Sequence, residues 1–154
     1  MNVCHFIIKI LSTFLFVGYL PFIPGTFASI VGISLFYLVK DSIFIYTLFT
    51  LLLIILAFLI SDEAEKVFNK KDAKYIVIDE IVGMLLSLIF IPYDIRFVVI
   101  AFIFFRILDG LKPYPADRLQ GLKGSIGIMG DDIVAGLYTN IILQVLRLTF
   151  FKTS

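Results

Sequence analysis

Three short stretches of this chain combine acidic and basic side chains in patterns that could do chemistry. Residues 75–84 carry Asp79 and Glu80 side by side within an apolar run. Residues 105–113 carry Arg106, Asp109 and Lys112, which recur every third position and share a face if the segment is helical. Residues 124–136 pass from a glycine-rich stretch into the pair Asp131-Asp132, with Gly136 and Asn140 following Asp132 at helical spacing. Five carboxylates brought to one place would repel one another without a cation. A donor set made only of oxygen, with neither His nor Cys, suits Mg²⁺ or Mn²⁺ rather than zinc. Arg and Lys beside such a cation suit a phosphorylated substrate, because both neutralise charge on transferred phosphoryl oxygens.

Taken singly, each stretch has a plainer reading. Arg106 and Asp109 could be an interfacial ion pair, worth about 0–1 kcal/mol if exposed. Asp131 could serve only as the N-cap of a helix that begins after a flexible loop. Asp79 and Glu80 could be the proton site of a transporter, since carboxylates inside membranes often serve that purpose. Glu63, Glu65, Lys66, Lys70 and Lys71 read as a solvated helix face, and Cys4 and His5 as incidental. Convergence of all three stretches on one face is what favours a metal-assisted site.

The elements that must position these residues are membrane helices. Of 154 residues 60% are hydrophobic and only 16% charged, whereas soluble domains carry about 25% charged residues. One soluble core of this length could not hide so much apolar surface, so lipid is part of the solvent. A net charge of +1, with no basic block, argues against a nucleic-acid partner. Apolar runs at 6–17, 27–39, 42–60, 76–91, 95–108 and 133–150 predict an all-α, polytopic membrane protein of about five to six hydrophobic helices, in one domain over 1–154. Residues 6–17 read as a retained helix, interfacial or re-entrant, because Pro21 and Pro24 follow instead of a cleavage site. If every run from residue 27 onward crosses once, the breaks at 18–26, 61–75 and 106–132 share a side. That side holds Lys66, Lys70, Lys71, Lys74, Arg106, Lys112, Arg118 and Lys123, with Lys9 joining them. The other holds Lys40, Arg96, Arg147 and Lys152. Excess Lys and Arg marks the cytoplasmic side, which places the acidic site there.

At these residues the chain resembles the phosphatidylglycerophosphatase A family. The matching stretches are Pro24-Gly25-Thr26, Ile76 to Gly83, Phe105 to Asp109 with Lys112-Pro113-Tyr114-Pro115, and Gly127-Ile128-Met129 with Asp131 to Gly136. They stand in family order across about residues 18–140. Where relatives read Pro-Gly-Thr-x-Gly-Ser, this chain has Ala28 before Ser29. The resemblance implies Mg²⁺-dependent removal of the terminal phosphate from phosphatidylglycerophosphate, a phospholipid substrate, in a bacterial inner membrane with the site facing the cytoplasm.

Other phosphatase chemistries lack their residues. Cys4 is not followed by a Cys-x₅-Arg loop, His5 is the only histidine, and no Asp-x-Asp pair suggests an aspartyl-phosphate enzyme. The expectation is direct attack by a Mg²⁺-activated water. Glu80, Asp131 and Asp132 are the expected metal ligands, Asp79 and Asp109 a ligand or general base, and Arg106 and Lys112 the phosphate grips. Two rivals remain: a CDP-alcohol phosphotransferase, echoed by Asp109-Gly110 and Asp131 but not by Lys112-Pro113-Tyr114, and a proton- or metal-coupled transporter.

Overall fold

A computed structural model describes residues 3–71 and 73–150, and within them the chain is all helix, with no strand. Seven α-helices follow in order: α1 (Val3–Ser12), α2 (Pro24–Val39), α3 (Ile43–Phe68), α4 (Ile78–Ser87), α5 (Ile95–Leu111), α6 (Ala116–Gln120) and α7 (Ser125–Phe150). Lys152, counted above with the second set of cations, lies outside the described residues.

Local chemistry sets the boundaries. Pro24 opens α2, where its missing N–H costs nothing. The Ser42 side chain accepts from the Ile45 amide to start α3, and Asp94 accepts from the Arg96 amide at 2.8 Å to start α5. Asn69 and Lys112, both in the left-handed region, end α3 and α5. After α1 the chain reverses through Phe14, Leu15 and Phe16, all at positive φ, and a short 3₁₀ turn at Val17–Tyr19 leads to α2.

The bundle is built around α4. Every residue of this helix except Glu80 is buried, and α2, α3, α5 and α7 pack around it. The buried Tyr46 hydroxyl on α3 donates to the Leu85 carbonyl, and Asn140 on α7 donates to the carbonyls of Ser87 and Ile89 at 3.1 and 2.7 Å. These bonds give side-chain partners to carbonyls at and just beyond the end of α4, where the helical ladder runs out. The stretch 76–91, expected to cross as one helix, is helical for only ten residues, about 15 Å. Tight turns from Leu88 to Ile91, with Phe90 at positive φ, complete it.

Lipid-facing surface is clearest on α3. Phe44, Leu48, Leu51, Leu52, Ile55 and Leu59 are exposed, while the inward face carries Tyr46, Thr50, Ala57, Ser61 and Ala64. Large apolar groups outside and small or polar groups inside are how helices pack in lipid. Two helices, α3 and α7, are long and apolar enough to cross a membrane. Together with the exposed apolar faces, they point to a membrane protein.

Contacts between distant segments tie together each end of the bundle. At one end Val77 N–H donates to the Ser12 carbonyl, Lys71 Nζ to the Gly121 carbonyl, and the amide of Ser125 to Asp62. At the other end the Tyr93 hydroxyl bonds that of Tyr37, and Arg147 bonds the Phe90 carbonyl.

Candidate metal and phosphate site

Asp79 and Glu80 occupy the first turn of α4, where the positive end of the helix dipole favours carboxylates. Asp131 and Asp132 lie on α7, two turns in from its start. The expectation that Asp131 caps a helix after a glycine-rich loop is corrected here: α7 begins at Ser125, six residues earlier. The reason is a partner on another helix. Asp62 Oδ1 of α3 accepts from the Ser125 amide at 2.7 Å, and the Ser125 hydroxyl donates to the Phe58 carbonyl at 2.5 Å. Gly127 and Gly130, which looked like loop residues, are helical and let neighbouring chain approach, while Gly124 turns at φ 72° just before the helix. A Cβ on Gly127 would lie 2.2 Å from the Leu122 carbonyl, and one on Gly130 would lie 2.9 Å from Leu119 Cβ.

The two acidic helices meet through their small residues. A Cβ on Gly136 would lie 2.5 Å from the Gly83 carbonyl oxygen, and one on Gly83 would lie 2.8 Å from the Asp132 carbonyl oxygen. Gly83 is one turn past Asp79 and Gly136 one turn past Asp132, so this close crossing sets the distance between the carboxylates of the two helices. Asp79, Glu80 and Asp132 each offer an oxygen such that all three lie within 4.8 Å of one another. Like charges at that spacing repel by about 3.5 kcal/mol per pair at an effective dielectric constant of roughly 20.

Cations stand at the rim. Arg106 Nη1 lies 2.8 Å from Asp109 Oδ2, and Lys112 Nζ lies 2.6 Å from Asp131 Oδ2. Arg106 and Lys112 keep 28% and 27% of their side-chain exposure, against 7% for Asp131, so the charge that can meet an incoming anion lies outermost. Burial disfavours the Lys112 ammonium, yet its hydrogen bond to Asp131 and the charges of Asp131, Asp109 and Asp132 outweigh that. They raise its pKa above the usual lysine value.

All seven residues expected from sequence sit at this end, but they form two groups. Asp79 joins Glu80 and Asp132, while Asp131 is turned to Lys112. Glu80 Oε2, Asp131 Oδ1 and Asp132 Oδ1 are buried and receive no hydrogen bond from the described residues. Buried acceptors of this kind are rare unless something else satisfies them. Sequence reasoning missed Gly25 as a structural part of the site. A Cβ there would press on Glu80 Oε1 and lie 3.2 Å from Arg106 Nη1, so a side chain at this position would push these two site groups aside. Asp62 was also missed, since nothing in its neighbourhood along the chain signals a partner 63 residues away.

A hard divalent cation fits these residues. The donors are carboxylates only, three of them share one small volume, and several of their oxygens lack partners.

Known proteins resemble this chain over most of its length. The family model for phosphatidylglycerophosphatase A matches residues 10–147. A Bacteroides thetaiotaomicron protein provisionally named a phosphatidylinositol-3-phosphatase is 34% identical over 139 residues, covering 84% of this chain and 87% of its own. Phosphatidylglycerophosphatase A of Escherichia coli is 37% identical over 129 residues, covering 82% and 75%. Its Haemophilus influenzae namesake is 30% identical over 128 residues, covering 80% and 78%. No solved structure matches the chain. With a match that spans nearly the whole chain and takes in every carboxylate of the site, this protein belongs to the phosphatidylglycerophosphatase A family, a family of phosphatases.

Proposed function

We propose that the chain hydrolyses the terminal phosphomonoester of phosphatidylglycerophosphate, giving phosphatidylglycerol and inorganic phosphate, with Mg²⁺ held at the acidic site. The observation that carries this reading is the close group Asp79, Glu80 and Asp132, in which Glu80 Oε2 and Asp132 Oδ1 have no hydrogen-bond partner among the described residues, beside the rim cations Arg106 and Lys112. Asp79, Glu80 and Asp132 would hold the ion, with Asp131 Oδ1 within the same pair of helices as a further donor. Bound there, Mg²⁺ supplies Lewis acidity: it neutralises charge on the phosphoryl oxygens and makes water a better nucleophile.

The rest of the chemistry belongs to the side chains. Arg106 presents a planar fork that matches phosphate oxygens, and Lys112 adds a point charge. Asp109, beside Arg106, would take the proton of the attacking water. The P–O bond to the glycerol would then break, with the proton held by Asp109 passing to the leaving oxygen, so that the lipid leaves as an alcohol. Ile107, Leu111 and Tyr114 are exposed along and just beyond the end of α5, and Phe22 and Ile23 just before α2. They give acyl chains an apolar surface next to the cations. This reading further takes the protein as multi-pass in a bacterial inner membrane, with the cation-richer end, and the site, facing the cytoplasm. Family membership favours hydrolysis over transport or CDP-lipid transfer.

Phosphate release by detergent-purified protein tests the reading. Phosphatidylglycerophosphate and phosphatidylinositol 3-phosphate are offered separately, each with Mg²⁺ and with EDTA. The second lipid is included because of the name of the Bacteroides relative. Faster release from phosphatidylglycerophosphate, abolished by EDTA, is expected. Preference for the inositol lipid would reassign the substrate, and EDTA-resistant release would remove the metal. Asp132→Asn should abolish turnover without lowering the melting temperature in EDTA, because it removes two of the three repulsions in the acidic group.

A further inference from the structure

The end of the bundle opposite the carboxylates holds a second charged cavity, about 440 Å³, that the phosphatase reading does not use. Its walls include Lys40, at the C-terminal end of α2, and Arg147, near the end of α7, with Ile43, Phe90, Pro92 and Tyr93 between them. The size falls within the usual range of small-molecule sites, roughly 300–1,000 Å³. Lys40 Nζ lies 4.5 Å from the centre of the Tyr93 ring, and its side chain is only 22% exposed. Its one ion-pair partner is Asp41 at 3.0 Å, itself 88% exposed, and such a pair neutralises little. Arg147 uses Nη1 on the Phe90 carbonyl at 3.2 Å, a neutral acceptor that leaves its charge uncompensated. Among the described residues no carboxylate lines the cavity. The nearby Asp94 is taken by Arg96, which grips both its oxygens.

Two cations from separate elements therefore line one cavity, and among the described residues the exposed Asp41 beside Lys40 is the anion paired with either of them. The plain alternative is that each merely complements the C-terminal dipole of its own helix. Arg147 does not fit it, because its contact is to the turn after α4. The surroundings say what kind of anion fits. Ile43 is 52% and Phe90 58% exposed, and Phe44 and Leu148, next in sequence to wall residues, are more exposed still. An anion bound here sits against apolar surface that lipid tails cover.

We propose that the cavity between Lys40, Tyr93 and Arg147 binds the headgroup phosphodiester of an anionic phospholipid in the leaflet opposite the carboxylate site. Lys40 and Arg147 contact the phosphate oxygens, the Tyr93 ring backs Lys40, and the acyl chains run along Ile43 and Phe90. The proposal stands apart from the phosphatase reading and needs only that the chain sits in a bilayer.

The test uses the full-length chain in neutral detergent, with phosphatidylserine as probe so that product binding at the carboxylate site does not interfere. Lipid retention is counted by native mass spectrometry, and the melting temperature is followed as phosphatidylserine, phosphatidylcholine or inorganic phosphate is added. Wild type should retain phosphatidylserine and be stabilised by it. A Lys40→Gln/Arg147→Gln double variant should bind it about thirtyfold more weakly, taking roughly fivefold per cation near an anionic headgroup. Glutamine can still donate to the Phe90 carbonyl, so this variant keeps the local contact that Lys40→Ala/Arg147→Ala would lose. Equal phosphatidylserine binding by wild type and the glutamine variant would overturn the proposal. So would equal stabilisation of wild type by phosphatidylcholine, or an equal effect of inorganic phosphate, which would make the cavity a free-anion site.

Discussion

The α4–α7 crossing offers the sharpest test of how the site is held. In Gly136→Ala the new Cβ would sit 2.5 Å from the Gly83 carbonyl oxygen, where ordinary contact begins near 3.4 Å. The deficit is about 0.9 Å against backbone, which has no flexible end to yield, so α7 must retreat from α4 by nearly that amount. Overpacking of this kind costs about 1–3 kcal/mol, which a folded helical bundle can survive. The catalytic effect should be larger. Asp132 lies one turn before Gly136 and Asp79 one turn before Gly83, so the retreat widens the gap that holds the three carboxylates. A misplacement of about 1 Å costs on the order of 10²-fold in rate. Phosphate release from phosphatidylglycerophosphate at saturating Mg²⁺ should therefore fall about 100-fold in kcat, with a modest drop in melting temperature. Gly110→Ala is the control. No atom lies within 4 Å of its Cβ position, and alanine in a helix favours folding by roughly 0.5–1 kcal/mol, so its rate should match wild type. A folded Gly136→Ala protein with wild-type kcat would refute the idea that this contact sets the carboxylate geometry.

Two further substitutions address the supports around the site. Asp62→Ala removes the acceptor for the Ser125 amide and should lower stability by about 1 kcal/mol, within the roughly 0.5–2 kcal/mol range for a lost N-cap; thermal melts in detergent should show Asp62→Asn recovering most of it. Asp94→Asn keeps the cap of α5 but removes the charge gripped by Arg96. That grip holds the Asp94 carboxyl below its ordinary pKa of 3.8. Its contribution is therefore present above the unfolded pKa and lost as pH falls through the folded one. Wild type should melt higher than Asp94→Asn at neutral pH, with the difference vanishing in acid; a difference independent of pH would show that the charge contributes nothing.

Much of the site is legible along the chain because helical spacing is local. The sequence alone aligns Asp132, Gly136 and Asn140 on one face of α7, and the structure uses that face against Gly83, Ser87 and Ile89 of α4. It likewise aligns Arg106, Asp109 and Lys112 at the end of α5, and its hydropathy requires lipid around the bundle. What the sequence could not decide is which side chains from different helices meet. Asp79 rather than Asp131 completes the acidic group with Glu80 and Asp132, because the Gly83–Gly136 contact brings one face of α7 against α4 and leaves Asp131 to Lys112. Gly25 closes over Glu80 and Arg106, and Asp62 moves the start of α7 back to Ser125, through partners dozens of residues away. Periodicity constrains neighbours within one helix. Contacts between helices depend on crossing distance and rotation, which side-chain volumes from the whole bundle set together.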